Sequence, residues 1–413
     1  MCYKRAIRRG TEATSTNKLD AVEELREMTA TKPTGKPQRL YYLDWLRVLV
    51  IINLVPFHAT WLMTYVPGYS HIPQEGLGVT VIKYYLSFAS YWHMPLLFFL
   101  AGTTTFISLS YRSPREYLLE RVKRLLVPLI FFMLVLWPLV LYFLPGSSDD
   151  RSLLDYLFRS WPQCLKTLHT CRYVGRPAMP GWGHLWFVSY LFLISLVTLP
   201  LLIYCKKHPR YDLARHSIAP TVKSIGIFLP GALFVFVLVA LTPIWPLFYQ
   251  HNLYQDWAYF SYHLVAFILG FAFCLDDRFP QAVDRHLKLS LPFAIVSSVI
   301  ALVMRYSVPG FSTPAYNLRY FLYATIFGFQ TWFWIVALLG LAKRFLSQSN
   351  RFLAYFSRAS YPFYILHLTL MVPIGHYVVQ WRLGVLGESV LLCTLSFAAT
   401  IGIYELMRRT KVI

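Results

Sequence analysis

Residues 48–66 read VLVIINLVPFHATWLMTYV and contain no Asp, Glu, Lys or Arg. A helix that crosses a bilayer needs about 20 mainly apolar residues, because lipid offers no partners to unsatisfied backbone groups. This run therefore predicts a membrane-spanning helix. It also carries an imidazole, that of His58, into the membrane.

Charge-free runs of similar length recur along most of the chain. Of its 413 residues, 56% are hydrophobic and 14% are charged, against roughly 25% charged in an average soluble domain. This composition excludes an ordinary cytosolic enzyme and predicts an all-α polytopic membrane helix bundle of about ten transmembrane helices. The seventh and tenth spans have only 16 residues between charges, so each must either snorkel a flanking Lys, Arg or Glu or pack against other helices. The predicted spans are 48–66, 84–110, 125–144, 183–205, 224–247, 257–275, 289–304, 320–342, 359–381 and 389–404.

Lysine and arginine are distributed unevenly about these spans. With the N-terminus inside, the cytoplasmic segments carry 29 of them and the external segments carry 8. Because cytoplasmic loops collect Lys and Arg, this bias predicts that both termini are cytoplasmic. It also accounts for the net charge of +20, so nucleic-acid binding is not needed to explain that charge. No zinc-finger, RNA-recognition or phosphate-loop motif is present in the sequence.

The sequence predicts a tail and a membrane domain. Residues 1–40 are basic and polar without the apolar core of a signal peptide, so we expect a disordered cytoplasmic tail. Residues 41–413 form the transmembrane domain, whose longest external segment, 145–182, predicts an interfacial or re-entrant helix. There Cys164 and Cys171 can form a disulfide if the segment folds back. The six cysteines show no metal-ligand spacing, so we expect no metal.

Arg47 and His58 share one face of the first span. Eleven residues separate them, which returns the side chains to within ~20° and places them ~16 Å apart along a helix. This geometry suits a substrate whose anionic end stays at the cytoplasmic surface while its reactive end reaches inward. The alternatives are that Arg47 is an ordinary anchor and that His58 only hydrogen-bonds a neighbouring helix.

A second basic feature lies at the cytoplasmic edge of the third span. Arg121 and Arg124 are about one helical turn apart, so two guanidinium groups can converge on a phosphate. The alternative is a topology signal that contacts lipid headgroups.

Three further histidines, His93, His184 and His367, lie in or at the ends of spans with aromatic neighbours. They are possible supporting residues of the site. Aromatic-flanked histidines near a membrane interface can also be purely structural.

Taken in order, five segments resemble the integral-membrane acyltransferase 3 family, in the branch that includes the glucan succinyltransferase known as glucans biosynthesis protein C. Arg47 and His58 match the family's R-x10-H motif, and Arg121 and Arg124 match its RxxR motif. The resemblance covers about residues 38–407. The other matching segments are 93–102, 183–188 and 360–367.

The resemblance implies an O-acyltransferase that moves an acyl group from cytoplasmic acyl-CoA to a hydroxyl of an extracytoplasmic carbohydrate. Acyl-CoA is then a donor substrate, and no tightly bound cofactor is expected. The phosphates of coenzyme A would lie on Arg121, Arg124 and Arg47. His58 would be the general base, since imidazole titrates near neutrality. A mechanism through a transient acyl-histidine is the alternative. The implied setting is the bacterial cytoplasmic membrane and modification of cell-envelope polysaccharide by O-acetylation or succinylation.

Two features depart from the family pattern. Ala101 stands where a serine is usual before the glycine, and no SGNH esterase-like domain follows the spans. The second departure implies that the membrane domain itself completes the modification of the acceptor.

Two other classes of protein fit the same residues. A secondary transporter of an organic anion or acyl-group carrier would use the intramembrane His and Arg without chemistry, although the sequence shows no inverted repeat. A non-catalytic scaffold in envelope-polysaccharide assembly is the third interpretation. The acyl group, the acceptor and the oligomeric state stay open.

Overall fold

The computed structural model describes residues 39–66, 68–69, 76–144, 152–167, 172–173, 176–177, 182–207, 225–245, 251, 253, 255–276 and 278–410. Tyr41–Ile413 forms one compact unit. Residues 1–38 of the predicted tail lie outside the described residues, so the disorder of the tail stays a prediction.

The described residues are almost entirely helical, as the sequence predicts. One exception is a two-residue antiparallel pair, Arg172–Tyr173 with Arg176–Pro177. The helices are α1 Tyr41–Tyr65, α2 Leu77–Ser90, α3 His93–Tyr111, α4 Pro114–Phe143, α5 153–167, α6 Trp186–Lys207, α7 Leu229–Leu241, α8 Trp257–Phe273, α9 Arg278–Ser307, α10 Leu318–Phe345, α11 Arg351–Val378 and α12 Gly384–Arg409.

Eight stretches of the described chain are long and apolar enough to cross a membrane, so the protein is a multi-pass membrane protein. The fifth and sixth predicted spans fall on shorter apolar helices, Gly226–Leu241 and Trp257–Phe273. The total of about ten spans and the cytoplasmic termini therefore stay predictions. The eight stretches are Tyr41–Tyr65, Leu77–Tyr111, Pro114–Phe143, Gly183–Cys205, Arg278–Ser307, Leu318–Phe345, Arg351–Trp381 and Gly384–Arg409.

The seventh and tenth predicted spans continue at their ends into charged residues of longer helices. They lie in α9 and α12, which have 30 and 26 residues. Charged side chains are part of these helices, with Arg305 in the last turn of α9 and Arg408 and Arg409 in the last turn of α12. A charge-free run underestimates a helix whose ends carry long cationic side chains.

The second predicted span, 84–110, is two helices in the structure. Helix α2 begins at Leu77, and Tyr91 and Trp92 form a turn before α3 begins at His93. The break places His93 at the beginning of a helix and inside the bundle, where its side chain is buried.

Helices α3 and α8 approach each other closely at two glycines. A Cβ atom added to Gly102 would collide with the carbonyl oxygen of Phe267, and one added to Gly270 would collide with that of Phe99. Small residues allow such backbone contact in membrane bundles. The glycine of the segment 93–102 is therefore required by packing.

The same two helices run in parallel. The rings of Phe98 and His263 lie 4.6 Å apart, and those of Phe106 and Phe271, eight residues further along both helices, lie 5.3 Å apart. His263 therefore lies level with Phe98, which is five residues after His93 along α3.

The described part of the external segment 145–182 includes helix α5, which packs on α4. The indole Nε1–H of Trp161 donates to the carbonyl of Leu134 at 3.0 Å. Phe158 is 77% exposed on the outside of α5, as an interfacial helix requires, although its place in a membrane stays a prediction. Cys164 is disulfide-bonded. Cys171 lies outside the described residues, so the pairing of these two cysteines stays a prediction too.

We expect Gly102→Ala to destabilise the protein, because the added methyl group must displace the backbone of α8. Overpacking of this kind typically costs about 1–3 kcal/mol. Gly402→Ala in α12 is the matched control, since nothing lies within 4 Å of the Cβ position there. Thermal unfolding in detergent should give a lower midpoint for Gly102→Ala alone. Equal midpoints in the two variants would contradict the close approach.

Candidate active site

A cavity of about 1220 Å³ opens within the bundle and is bounded by α1, α3, α4, α6, α8 and α11 among others. Its volume exceeds that of typical small-molecule sites, which are roughly 300–1,000 Å³. Among the lining residues that the structure describes, five are histidines: His58, His93, His184, His251 and His263. Four tryptophans also contribute: Trp61, Trp137, Trp182 and Trp186.

The imidazole of His58 is held by two acceptors. Its Nδ1 lies 2.9 Å from the carbonyl oxygen of Leu54, one turn earlier in α1. A carbonyl oxygen only accepts hydrogen bonds, so the proton of the neutral ring is on Nδ1. The same Nδ1 lies 3.2 Å from Nε2 of His367.

His367 on α11 offers the second acceptor. Its Nδ1 lies 2.8 Å from the carbonyl oxygen of Tyr364 and 3.2 Å from that of Phe363, so Nδ1 carries the proton. Its Nε2 therefore carries a lone pair, which accepts from the Nδ1–H of His58. His367 does not line the cavity; it lies behind His58 and fixes its tautomer.

This arrangement leaves Nε2 of His58 unprotonated and available to a ligand in the cavity. Nothing in the sequence indicated which group orients His58, because His367 is 309 residues away along the chain. The arrangement is that of a general base oriented by a second group on its far nitrogen.

His184 joins the cluster from the turn before α6. Its ring lies 5.0 Å from that of His367 and 6.3 Å from that of His58. Tyr364 ties this turn to α11: its hydroxyl donates to the carbonyl of His184 at 2.6 Å, and its own carbonyl lies 3.2 Å from His184 Nε2. The turn depends on Gly183, which has φ +45° and no room for a Cβ beside Trp137.

His93 lies at the cavity but apart from this cluster. Its Nδ1 is 2.5 Å from the carbonyl oxygen of Ala89, which leaves the lone pair on Nε2. The ring of Phe57 packs at 4.7 Å from the His93 ring and at 5.4 Å from the His58 ring. The structure therefore brings together His58, His184 and His367, with His93 beyond Phe57.

Sequence reasoning missed two of the cavity histidines. His263 lies in α8 with its Nδ1 donating to the carbonyl of Tyr259 at 2.8 Å. His251 lies in the loop before α8 and stacks on Trp186, with ring centroids 4.5 Å apart and planes at 7°. Burial lowers the pKa of His251 to about 3, so this imidazole is neutral. An ionisable residue inside an apolar helix was the signal that could have identified His263.

The three arginines of the predicted donor site lie outside the lining of the cavity. Arg47 binds the carboxylate of Asp44 at 2.9 Å. Arg121 donates to the hydroxyl of Thr105 at 3.0 Å, whereas Arg124 is 74% exposed and pairs with Glu120 at 3.1 Å.

The expected alignment of Arg121 with Arg124 is changed by a π-helical turn. Val122–Leu126 is π-helix, in which residues three apart do not complete a turn. The two guanidinium groups accordingly contact different partners in the structure. Arg121 also stacks on Tyr117, 4.7 Å from the ring centroid.

Fold and cavity together define a polytopic membrane protein with a buried, histidine-lined site. The model of the acyltransferase domain, Acyl_transf_3, matches residues 40–405. The chain therefore belongs to the acyltransferase 3 family and is an acyltransferase that transfers groups other than aminoacyl groups. Searches of curated proteins and of solved structures each found no match.

Proposed function

We propose that this protein transfers an acyl group from cytoplasmic acyl-CoA to a hydroxyl of an extracytoplasmic carbohydrate, with His58 as the general base. The observation that carries the proposal is the position of His58 Nδ1 beside two acceptors, from which we infer its tautomer. Leu54 and His367 accept its Nδ1–H, and His58 itself lines the cavity. A base must present its unprotonated nitrogen to the substrate, and Nε2 meets that condition.

In the proposed transfer step, His58 both accepts the proton of the hydroxyl and returns it to the leaving group. Nε2 of His58 takes the proton of the acceptor hydroxyl while the oxygen attacks the thioester carbonyl carbon. The carbon–sulfur bond then breaks, and the thiolate of coenzyme A leaves with the proton from the imidazolium. The carbonyl of Leu54 and the lone pair of His367 stabilise the imidazolium while the proton is held.

We propose that acyl-CoA enters from the cytoplasmic end of the bundle. Arg47 precedes His58 by eleven residues in α1, about 16 Å at ~1.5 Å per residue. Arg121 and Arg124 would bind the phosphates of coenzyme A through their positive charge. Arg121 would then give up its contact with Thr105, and Arg124 its contact with Glu120. Arg-phosphate pairs of this kind are charge-assisted and directional.

The acceptor side is proposed from the lining of the cavity. Aromatic rings and neutral imidazoles suit a polyol such as a sugar, which presents apolar faces and many O–H donors. Within the family, the glucan succinyltransferase branch and a place in the bacterial cytoplasmic membrane remain our proposals. Acetyl and succinyl groups are the acyl groups to test first.

We expect His58→Ala to remove transfer while leaving the protein folded. Loss of a general base typically costs about 10²–10⁴-fold in rate. The assay uses proteoliposomes that contain acetyl-CoA in the lumen and receive a sugar acceptor outside. Protein that presents its cytoplasmic side to the lumen should release coenzyme A inside and form the ester outside.

His376→Ala is the matched control, because His376 lies in the last turn of α11 and does not line the cavity. It should keep wild-type turnover. Wild-type turnover in His58→Ala would overturn the role of His58, and export of the acyl group without ester formation would favour a transporter.

A second prediction separates donor binding from chemistry. Arg121→Gln and Arg124→Gln should mainly raise KM for acyl-CoA, since their contacts end before the thioester. Loss of a hydrogen bond to a charged group is worth about 1.5–3 kcal/mol, so each change should weaken donor affinity roughly 10- to 150-fold. Titration of activity against acyl-CoA measures the change.

Arg408→Gln serves as the control for charge alone, because Arg408 pairs with Glu405 at the end of α12. If the two arginines are only a topology signal, KM will not change and labelling of adjoining loops will show mixed orientation. An unchanged KM with one orientation would contradict the proposed donor site.

A further inference from the structure

Three histidines of the cavity share one hydrogen-bond pattern. The Nδ1–H of His58, His93 and His263 each donates to the carbonyl oxygen four residues earlier in the chain, at 2.9, 2.5 and 2.8 Å. No Asp or Glu is among the lining residues that the structure describes, and an unpaired charge is costly inside a membrane. The three rings are therefore neutral. Since a neutral imidazole has one ring proton, Nε2 of each ring is a hydrogen-bond acceptor.

The break between α2 and α3 fixes the ring of His93. Ala89 lies in the last turn of α2, where carbonyls lack partners within their own helix, and His93 is the first residue of α3. Because Nδ1 bonds the carbonyl of Ala89, the opposite edge of the ring, which carries Nε2, faces away from the backbone of α2. The side chain is 5% exposed and lines the cavity, and the described residues offer Nε2 no partner. This lone pair is thus available to a ligand.

Phe57 sets the spacing between His93 and His58. Its ring centroid lies 4.7 Å from that of His93 and 5.4 Å from that of His58, so the two imidazoles are no further apart than these distances combined. Both imidazoles line the same cavity. Two neutral lone pairs are therefore within the reach of one sugar and its hydroxyl groups.

The chemistry of the two substrates decides which of them meets the second lone pair. The reacting end of an acyl donor is a carbonyl oxygen and a thioester sulfur, and both of these atoms only accept hydrogen bonds. An imidazole lone pair can bond neither of them. A sugar has several hydroxyls, each of which is a donor, and only one of them reacts in a given turnover. A neighbouring hydroxyl of the acceptor therefore suits Nε2 of His93.

We infer that Nε2 of His93 binds a second, non-reacting hydroxyl of the acceptor while the reacting hydroxyl lies at Nε2 of His58. The inference rests on the proposed function and deepens it. The acceptor must then carry at least two hydroxyl groups, and His93 determines which of them is acylated. Two points of attachment restrict the orientation of the acceptor, which favours attack by one hydroxyl.

The test uses purified protein, acetyl-CoA, methyl glucoside and the four analogues of this sugar that each lack one hydroxyl. The variants are His93→Phe, His93→Leu and His93→Gln, and thermal unfolding in detergent shows which of them are folded. His93→Leu replaces His93→Phe if the larger ring does not fit. His286→Phe is the matched control, because His286 is buried with an Nε2 that lacks a partner among the described residues and does not line the cavity.

Wild-type protein should acylate methyl glucoside at one position. An analogue that keeps the reacting hydroxyl but lacks the one bound by His93 should have a kcat/KM roughly 3- to 10-fold lower, the effect of one neutral hydrogen bond. His93→Phe should lose the same factor on methyl glucoside and nothing further on that analogue, because the two changes remove one contact. NMR of its product should show esters at more than one position.

His93→Gln should restore part of the loss, since its amide oxygen is an acceptor. The KM for acetyl-CoA should be unchanged in the His93 variants, and His286→Phe should match wild type with every acceptor. Equal losses on methyl glucoside and on all four analogues would overturn the inference, because they mark a structural role. A raised KM for acetyl-CoA with an unchanged pattern of analogues would overturn it too, since His93 would then contact the donor.

Absence of wild-type turnover with every acceptor would contradict the proposed function instead. Quenching of the cavity tryptophans then tests His93 by itself. One analogue should bind wild type more weakly than methyl glucoside does, and this difference should vanish in His93→Phe. Equal wild-type affinities for methyl glucoside and all four analogues, or an unchanged difference in His93→Phe, would overturn the inference.

Discussion

The site depends on one proton, the Nδ1–H of His58, which the carbonyl of Leu54 and Nε2 of His367 accept together. Inside a bilayer a polar group must find its partners within the protein. This requirement ties α1 to α11 at the centre of the bundle. It also leaves Nε2 of His58 as the nitrogen available to a ligand, so the packing of two helices determines the chemistry of the residue.

The remainder of the site is built outward from that contact. Tyr364 holds the turn of His184 against α11, and Gly183 provides the backbone conformation that the turn needs. At α3 and α8, the contact of Gly102 with the backbone of Phe267 fixes the register between the helices that carry His93 and His263. The cavity is thus enclosed by close helix contacts on one side and hydrogen-bonded histidines on the other.

The sequence predicted a large part of this arrangement. Apolar runs located the helices, and the cost of burying ionisable groups singled out His58, His93, His184 and His367. It could not pair His58 with His367, since hydrogen bonds between distant helices leave no local pattern. It also placed Arg121 and Arg124 on one face, because a π-helical turn cannot be recognised from residue spacing. His251 was missed because its position depends on a loop conformation with φ 50°.

The most direct test of the account is the protonation of His58 in the resting protein. Solid-state ¹⁵N NMR of histidine-labelled protein in lipid distinguishes protonated from unprotonated ring nitrogens, and comparison with His58→Gln assigns the signals. We predict a neutral His58 ring with a protonated Nδ1 and an unprotonated Nε2. A proton on Nε2 of the neutral ring would contradict the account, because no base would then face the cavity.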